Sequence, residues 1–301
     1  MSVAIGSLKL KNPVLTASGT FGYGLEYSRY FDPALLGGVI TKTVTLEPRE
    51  GNPMPRIAET PAGMLNSIGL ANVGVEAYIE SKLTALQGLQ TAVIANIAGN
   101  TVDEYGRMIR KLGGHPRVDA IEVNVSCPNV EQGGLAFGAD RAVIEELLHR
   151  IRPETAKPLI IKLTPNVTDV ASIAQAAESA GADAISLINT VLGMGVDIRT
   201  RKPLLARVTG GLSGPAVKPI ALAKVYQAAK AVSIPVIGLG GILSGEDAVE
   251  FLIAGASAVQ VGTLNFIQPD GALEVLSGIE RYCIRHGVQR ISELVGTLAE
   301  V

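Results

Sequence analysis

The chain of 301 residues has no tryptophan, two cysteines and only 4% aromatic residues. Each scarcity excludes something. With so few aromatics, no patch advertises a protein interface of the usual aromatic-rich kind. Cys127 and Cys283 lie far apart and show no metal-ligand spacing. Neither a disulfide scaffold nor a metal site is expected, and the thiols suit a reducing, cytoplasmic setting. Charge of one sign is also lacking. Twenty-six Lys and Arg face 28 Asp and Glu, for a formal net charge of −2. No basic excess points to nucleic acid or to an anionic membrane.

Long apolar runs are missing as well. The longest charge-free stretch, roughly Leu83 to Val102, is interrupted by Thr84, Gln87, Gly88, Gln90, Thr91, Asn96, Gly99 and Asn100. That is too polar to cross a hydrocarbon layer. Met1 to Gly6 shows no basic region followed by an apolar core, so no signal peptide is expected.

What is present is a hydrophobic content of 47% and a mean hydropathy of +0.32. For a soluble chain this implies a heavily buried core, as parallel sheets require. The apolar residues come in short β-branched runs that end in Gly, Pro, Asn or Thr. Eight such runs read as strands: Val14–Ala17, Val39–Lys42, Ala92–Asn96, Ile121–Asn124, Leu159–Leu163, Ala184–Asn189, Val236–Gly240 and Ala258–Gly262. Between them lie segments of helical spacing, among them Ser172–Gly181, Ala221–Val232 and Glu246–Gly255. Ser244 with Asp247 three residues on forms a capping signal for the last of these.

Eight strands alternating with helices predict an α/β fold, a (β/α)8 TIM barrel. Residues 3–10 read as a short hairpin closing the barrel floor. No linker or low-complexity stretch interrupts the chain, so residues 1–301 are read as one domain. Two long βα connections, about 43–72 and 190–220, are expected over the C-terminal face, where barrel sites form.

Polar residues collect at the strand ends: Ser18, Lys42, Asn96, Asn124, Lys162, Asn189, Thr190, Gly240, Gly241, Gly262 and Thr263. Capping explains one or two of these. It explains two lysines and three asparagines at equivalent positions poorly. The glycines ending the seventh and eighth strands suit a phosphate held by backbone amides, with Gly211–Gly214 as a further source. Lys162 reads equally as a ligand-facing cation, as a partner of Glu122, or as an exposed residue. The fourth strand delivers Asn124 and Cys127 to the rim, and Asn129–Gly134 reads as a mobile loop that could cover a ligand. Free cysteines are often simple packing residues, so Cys127 alone leaves catalysis and packing both open. Cys283, in a helical stretch, reads as structural.

Taken together, the segments Thr16-Ala17-Ser18-Gly19, Thr41-Lys42-Thr43, Asn66-Ser67-Ile68-Gly69-Leu70, Asn124-Val125-Ser126-Cys127-Pro128-Asn129, Ile188-Asn189-Thr190, Gly240-Gly241 and Gly262-Thr263 resemble, in order and over essentially the whole chain, the FMN-dependent dihydroorotate dehydrogenases. The cysteine resembles the soluble class. Ala71 departs from the pattern where proline is expected.

The resemblance implies FMN bound by Ser18, Lys42, Thr43, Asn96, Asn124, Lys162, Ile188, Gly214, Gly240, Gly241, Gly262 and Thr263. It implies dihydroorotate or orotate bound by Lys42, Asn66, Ser67, Ile68, Gly69, Leu70, Asn124, Asn189 and Thr190, with Cys127 as the base. Asn66 to Leu70 with Ile at the third place, and Asn96 to Asn100 followed by Glu104-Tyr105, resemble the NAD-linked kind. That kind implies a homodimer associated with a subunit carrying FAD and a 2Fe–2S cluster, in a heterotetramer. Competing readings are a fumarate-using homodimer, a different FMN barrel reductase, and a non-redox phosphate-binding isomerase or aldolase with Lys162 as a Schiff-base amine.

Overall fold

The computed structural model describes residues 1–126 and 137–299. In chain order its strands are β1 (Val3–Ile5), β2 (Leu8–Leu10), β3 (Val14–Thr16), β4 (Gly38–Ile40), β5 (Ile57–Thr60), β6 (Gly63–Asn66), β7 (Ala92–Ile97), β8 (Ala120–Asn124), β9 (Leu159–Lys162), β10 (Ala184–Leu187), β11 (Val191–Met194), β12 (Val196–Asp197), β13 (Lys202–Pro203), β14 (Thr209–Ser213), β15 (Val236–Leu239) and β16 (Ala258–Val261). Its α-helices are α1 (Val75–Ala77), α2 (Val102–Gly113), α3 (Arg141–Ile151), α4 (Val170–Ser179), α5 (Lys218–Ala231), α6 (Gly245–Ile253), α7 (Leu264–Ile267) and α8 (Gly271–His286).

Strands β3, β4, β7, β8, β9, β10, β15 and β16 close into a barrel, each parallel to its neighbours. All eight overlap the eight runs read from sequence, though β4 ends at Ile40, two residues before the expected Lys42. The reason is the two-sided burial of barrel strands, which leaves no room for polar alternation. Inward residues Leu15, Ile40, Ile94, Ala120, Ile160, Ala184, Ile237 and Ala258 form one apolar cluster. Ile5 and Leu10 of the antiparallel β1–β2 hairpin join it, so the hairpin closes the floor as expected. Outward residues such as Ile121 and Val123 pack with helix residues such as Ile144 and Leu147 in the larger surrounding cluster. Fully burying one such side chain stabilises by about 1.5–3 kcal/mol.

Local signals set the helix starts. Ser244 Oγ accepts from the Asp247 amide at 3.1 Å, and Asp247 Oδ2 accepts from the Ser244 amide at 3.0 Å. This is the capping box at the head of α6. Thr101 Oγ1 caps α2 by accepting from the Glu104 amide at 3.2 Å. α5 begins at Lys218-Pro219, three residues before the expected Ala221, because proline is tolerated in a first turn. Cys283 lies on α8 and is buried. Burial pushes its thiol pKa up, which fits a packing role.

The two long connections hold more structure than loops. β5 and β6 come from the first, β11 and β14 from the second. They pair antiparallel in the order β11-β14-β6-β5. No helix of the described residues is long and apolar enough to cross a membrane.

Candidate active site

The chain paths above bring the ends of the barrel strands and the four-stranded sheet around one cavity of about 900 Å³. Ser18, Lys42, Thr43, Asn66, Ser67, Ile68, Gly69, Leu70, Asn124, Lys162, Ile188, Asn189, Thr190, Gly214, Gly240, Gly241, Gly262 and Thr263 all line it. Asn96 stands apart. Its side chain is fully buried and donates to Glu122 Oε2 deeper in the barrel, at 2.5 Å. Cys127 and the loop Asn129–Gly134 lie outside the described residues, while Ser126, one residue before the cysteine, lines the cavity.

The amides are oriented by their partners. Asn124 Oδ1 accepts from the Ser126 amide and from Asn189 Nδ2, both at 3.1 Å. Its Nδ2 is thereby the end left for the cavity. Asn189 Oδ1 accepts from the Thr190 amide at 2.9 Å. The Tyr105 hydroxyl donates to the Asn124 carbonyl at 2.7 Å, fixing the strand end from the outer side. Asn66 Nδ2 donates to the Gly211 carbonyl across the sheet at 3.3 Å.

The segment from Asn66 to Leu70 is held from two sides. The Asn52 amide donates to the Ile68 carbonyl at 3.0 Å, and Asn52 Nδ2 donates to the Ser67 carbonyl at 2.9 Å. Asn72 Nδ2 donates to the Leu70 carbonyl at 2.7 Å. Leu70 has a φ of 57°, a left-handed conformation that costs a non-glycine residue roughly 1–2 kcal/mol. The grip of Asn72 helps to hold it there.

Lys42 is the electrostatic feature of the cavity. Burial pushes its ammonium pKa down, and no carboxylate offsets the effect. Among the described residues nothing bonds to its Nζ. Lys42 is half-buried, and a partly desolvated cation without a partner is costly in the empty fold and useful for an anionic ligand.

A stability measurement follows from this. Folded Lys42 releases its proton at a lower pH than it does in the unfolded chain. Just below the ordinary lysine value of 10.5, the unfolded state therefore binds more protons, and this residue makes stability rise with pH. At lower pH both states are charged and the burial penalty stays constant. Lys42→Met is expected to be more stable than the parent near neutrality and to lose that alkaline rise. Tyr78, whose phenol burial pushes up, contributes equally to both proteins and cancels in the difference. Urea denaturation of both proteins at about pH 7 and about pH 10 checks it; parallel changes in the two would mean that Lys42 is not desolvated.

Several lining residues were not found by reading strand ends: Arg49, Asn52, Asn166 and Arg207. All four sit in βα connections, whereas Ser213, within the expected Gly211–Gly214 segment, lines the cavity too. Arg207 Nε donates to Asn52 Oδ1 at 3.2 Å across 155 positions of sequence, a pairing that no local pattern encodes. Asn166 accepts from the Leu192 amide at 3.0 Å and donates to the Thr190 carbonyl at 3.1 Å. Polar residues in the Gly- and Pro-rich stretch 47–53 were the one available signal.

A family model for dihydroorotate dehydrogenase matches residues 1–282. The chain belongs to the dihydroorotate dehydrogenase family. Its relatives include the catalytic subunit of dihydroorotate dehydrogenase B (NAD(+)) from Trichlorobacter lovleyi, 55% identical over 99% of this chain and 98% of that protein. The subunits of the same name from Citrifermentans bemidjiense, at 53%, and Bacteroides thetaiotaomicron, at 52%, cover the same shares. Membership in the dihydroorotate dehydrogenase family makes the chain an oxidoreductase and removes the isomerase or aldolase reading of Lys162. The structure gives that lysine other neighbours: its Nζ lies 3.8 Å from Glu122 Oε2 and 3.5 Å from Gln260 Oε1.

Proposed function

We propose that this chain is the catalytic subunit of an NAD-linked dihydroorotate dehydrogenase, oxidising (S)-dihydroorotate to orotate in pyrimidine biosynthesis. The observation that carries the reading is identity of 52–55% to catalytic subunits of that name over 98–99% of both chains. The cavity is suited to it. Dihydroorotate is a small ring with amide edges and one carboxylate. Asn66, Asn124 and Asn189 offer donors and acceptors for such edges, and the unpaired ammonium of Lys42 meets the carboxylate or a flavin oxygen.

The residues also fit FMN. Gly240, Gly241 and Gly214 have φ of 125°, 77° and 97°, and a Cβ on any of them would press on neighbouring atoms within 3.0 Å. The backbone there folds closely enough for its amides to approach a phosphate. Gly262, Thr263 and Ser18 would continue the cradle, Thr43, Asn124, Lys162 and Ile188 would hold the rest of the cofactor, and Asn96 would support the site from deeper in the barrel. When bound, FMN supplies the acceptor for the hydride from substrate C6. Cys127 takes the proton from C5. Asn124 and Asn189 orient the ring, and the segment from Asn66 to Leu70 holds its far edge. Lys162 would supply a positive charge that favours an electron-rich, reduced flavin.

The electrons then leave through a partner. Two cysteines cannot supply the thiolates of a 2Fe–2S cluster, so FAD and that cluster reside on a second subunit. The assembly is a homodimer joined to two such subunits in a heterotetramer, working in the cytoplasm.

A visible spectrum of the purified chain, followed by anaerobic dihydroorotate, tests the reading. A flavin band near ~450 nm that bleaches is the expected result. A band that persists removes dihydroorotate as substrate; no band after reconstitution with FMN removes the redox reading. Turnover with fumarate alone, without a partner, would move the chain to the fumarate-using type.

A further inference from the structure

Glu122 is a fully buried carboxylate that the proposed reaction does not use. Both of its oxygens are occupied by neutral donors. Oε1 accepts from Ser186 Oγ at 2.8 Å and from Gln260 Nε2 at 2.6 Å. Oε2 accepts from Asn96 Nδ2 at 2.5 Å. Four strands, β7, β8, β10 and β16, thus meet at one acidic side chain inside the barrel.

Lys162, from β9, is the fifth member, and its contacts are long: 3.8 Å to Glu122 Oε2 and 3.5 Å to Gln260 Oε1. The two contacts of Gln260 specify which way its amide points, with nitrogen toward the carboxylate and oxygen toward the ammonium. Both carboxylate oxygens are therefore engaged at short range, whereas the ammonium is held loosely and keeps hydrogens for the cavity it lines. A buried ammonium without any counter-charge is strongly disfavoured; one bonded closely to a carboxylate would be spent on it. This arrangement lies between the two.

We propose that Glu122, bridged by Gln260, is the positioning residue for Lys162. It holds the ammonium below the cavity and offsets part of its charge. In that way it sets how strongly Lys162 favours an electron-rich ligand above. For the ligand this inference rests on the FMN reading. The reduced, more negative flavin gains from an uncompensated ammonium, so Glu122 lowers the potential of the bound flavin.

Glu122→Gln tests this by removing the charge while keeping the side chain's shape and hydrogen-bonding ends. Asn96 Oδ1 is buried without a partner, so a flip of that amide offers an acceptor to the new N–H₂ group. The remaining oxygen still accepts from Ser186 and Gln260. The readout is the midpoint potential of bound flavin, from equilibration with a reference dye. The variant is expected to favour the reduced flavin by about ten- to a hundredfold in the two-electron equilibrium constant. In a Lys162→Met background the same substitution is expected to change it by less than about threefold.

An equal change in both backgrounds would show that Glu122 acts as an independent charge and would overturn the proposal. So would no change in the parent. A parent chain that takes up no FMN would instead fail the functional reading, before any substitution is made. Should Glu122→Gln not fold, Gln260→Met keeps both charges and removes the bridge. Lys162 then closes on Glu122, and the reduced flavin is disfavoured by about three- to tenfold; an unchanged potential overturns the proposal here too.

Discussion

Cys127→Ala is expected to slow reduction of the bound flavin by dihydroorotate by about 10²- to 10⁴-fold, the range that a positioned general base contributes. Orotate should still bind, because the groups proposed to hold it lie elsewhere on the rim. The residues just before position 127 are firmly held beside the cavity. Asn124 is anchored through its carbonyl by Tyr105 and through its Oδ1 by Ser126 and Asn189. Ser126 already faces the cavity. Proton transfer depends steeply on the placement of the base.

Anaerobic stopped-flow absorbance reads the rate, and the spectral shift on adding orotate reads binding. Cys127→Ser sharpens the test. An unperturbed thiol titrates near pH ~8.5 and is partly ionised close to neutrality, whereas a serine hydroxyl is far less acidic. The serine variant should be slow at neutral pH, and the alkaline rise of the parent, which reports the thiol, should move to higher pH. Full activity with serine near neutrality would show that residue 127 is not the base.

How much of this was legible in the sequence depended on the range of the interactions. The barrel strands were legible because two-sided burial writes itself as runs such as Leu159-Ile160-Ile161. The capping box at Ser244 was legible because its two bonds span three residues. The four-stranded sheet was not. Its central strand β14 reads Thr-Gly-Gly-Leu-Ser, and glycine argues against a strand. The structure gives the reason: a Cβ on Gly211 would lie 2.0 Å from Thr190 Oγ1, and one on Gly210 would lie 2.5 Å from the Asn66 carbonyl oxygen. Close approach of segments far apart in sequence required those glycines, and no window of sequence contains both sides of that contact.

The rim residues were found because each ends a strand. Asn96 satisfied the same rule yet turned to Glu122 instead of the cavity. Strand-end position tells where a residue sits along the barrel axis, and it does not tell which neighbour its side chain reaches. Arg49, Asn52 and Arg207 were missed for the opposite reason: they reach the cavity from connections with no periodicity to read.

The glycines proposed to cradle the phosphate separate fold strain from ligand contact. Gly241→Ala is expected to lose both stability and FMN. Its φ of 77° carries a cost of roughly 1–2 kcal/mol for any side chain. The new Cβ would also lie 2.8 Å from the Lys218 amide nitrogen and 3.0 Å from the Gly214 carbonyl oxygen. These are backbone atoms, so the loop itself must move, for a total on the order of 2–4 kcal/mol. Moving it would take the amides off the proposed phosphate site, and each charge-assisted bond lost would weaken binding by about ten- to a hundredfold.

Gly262→Ala isolates the second effect. Its backbone is outside the left-handed region, and the nearest atom to a new Cβ is that of Ala17 at 3.5 Å, an ordinary contact. This variant should unfold at the parent's urea midpoint while binding FMN at least about tenfold more weakly, because its methyl group enters the cavity that Gly262 lines. Fluorescence quenching of FMN on titration with the flavin-free chain gives the affinity. If Gly262→Ala binds FMN as the parent does while Gly241→Ala does not, the phosphate lies against the loop after β15 alone. If neither variant weakens binding, the cradle is not the phosphate site.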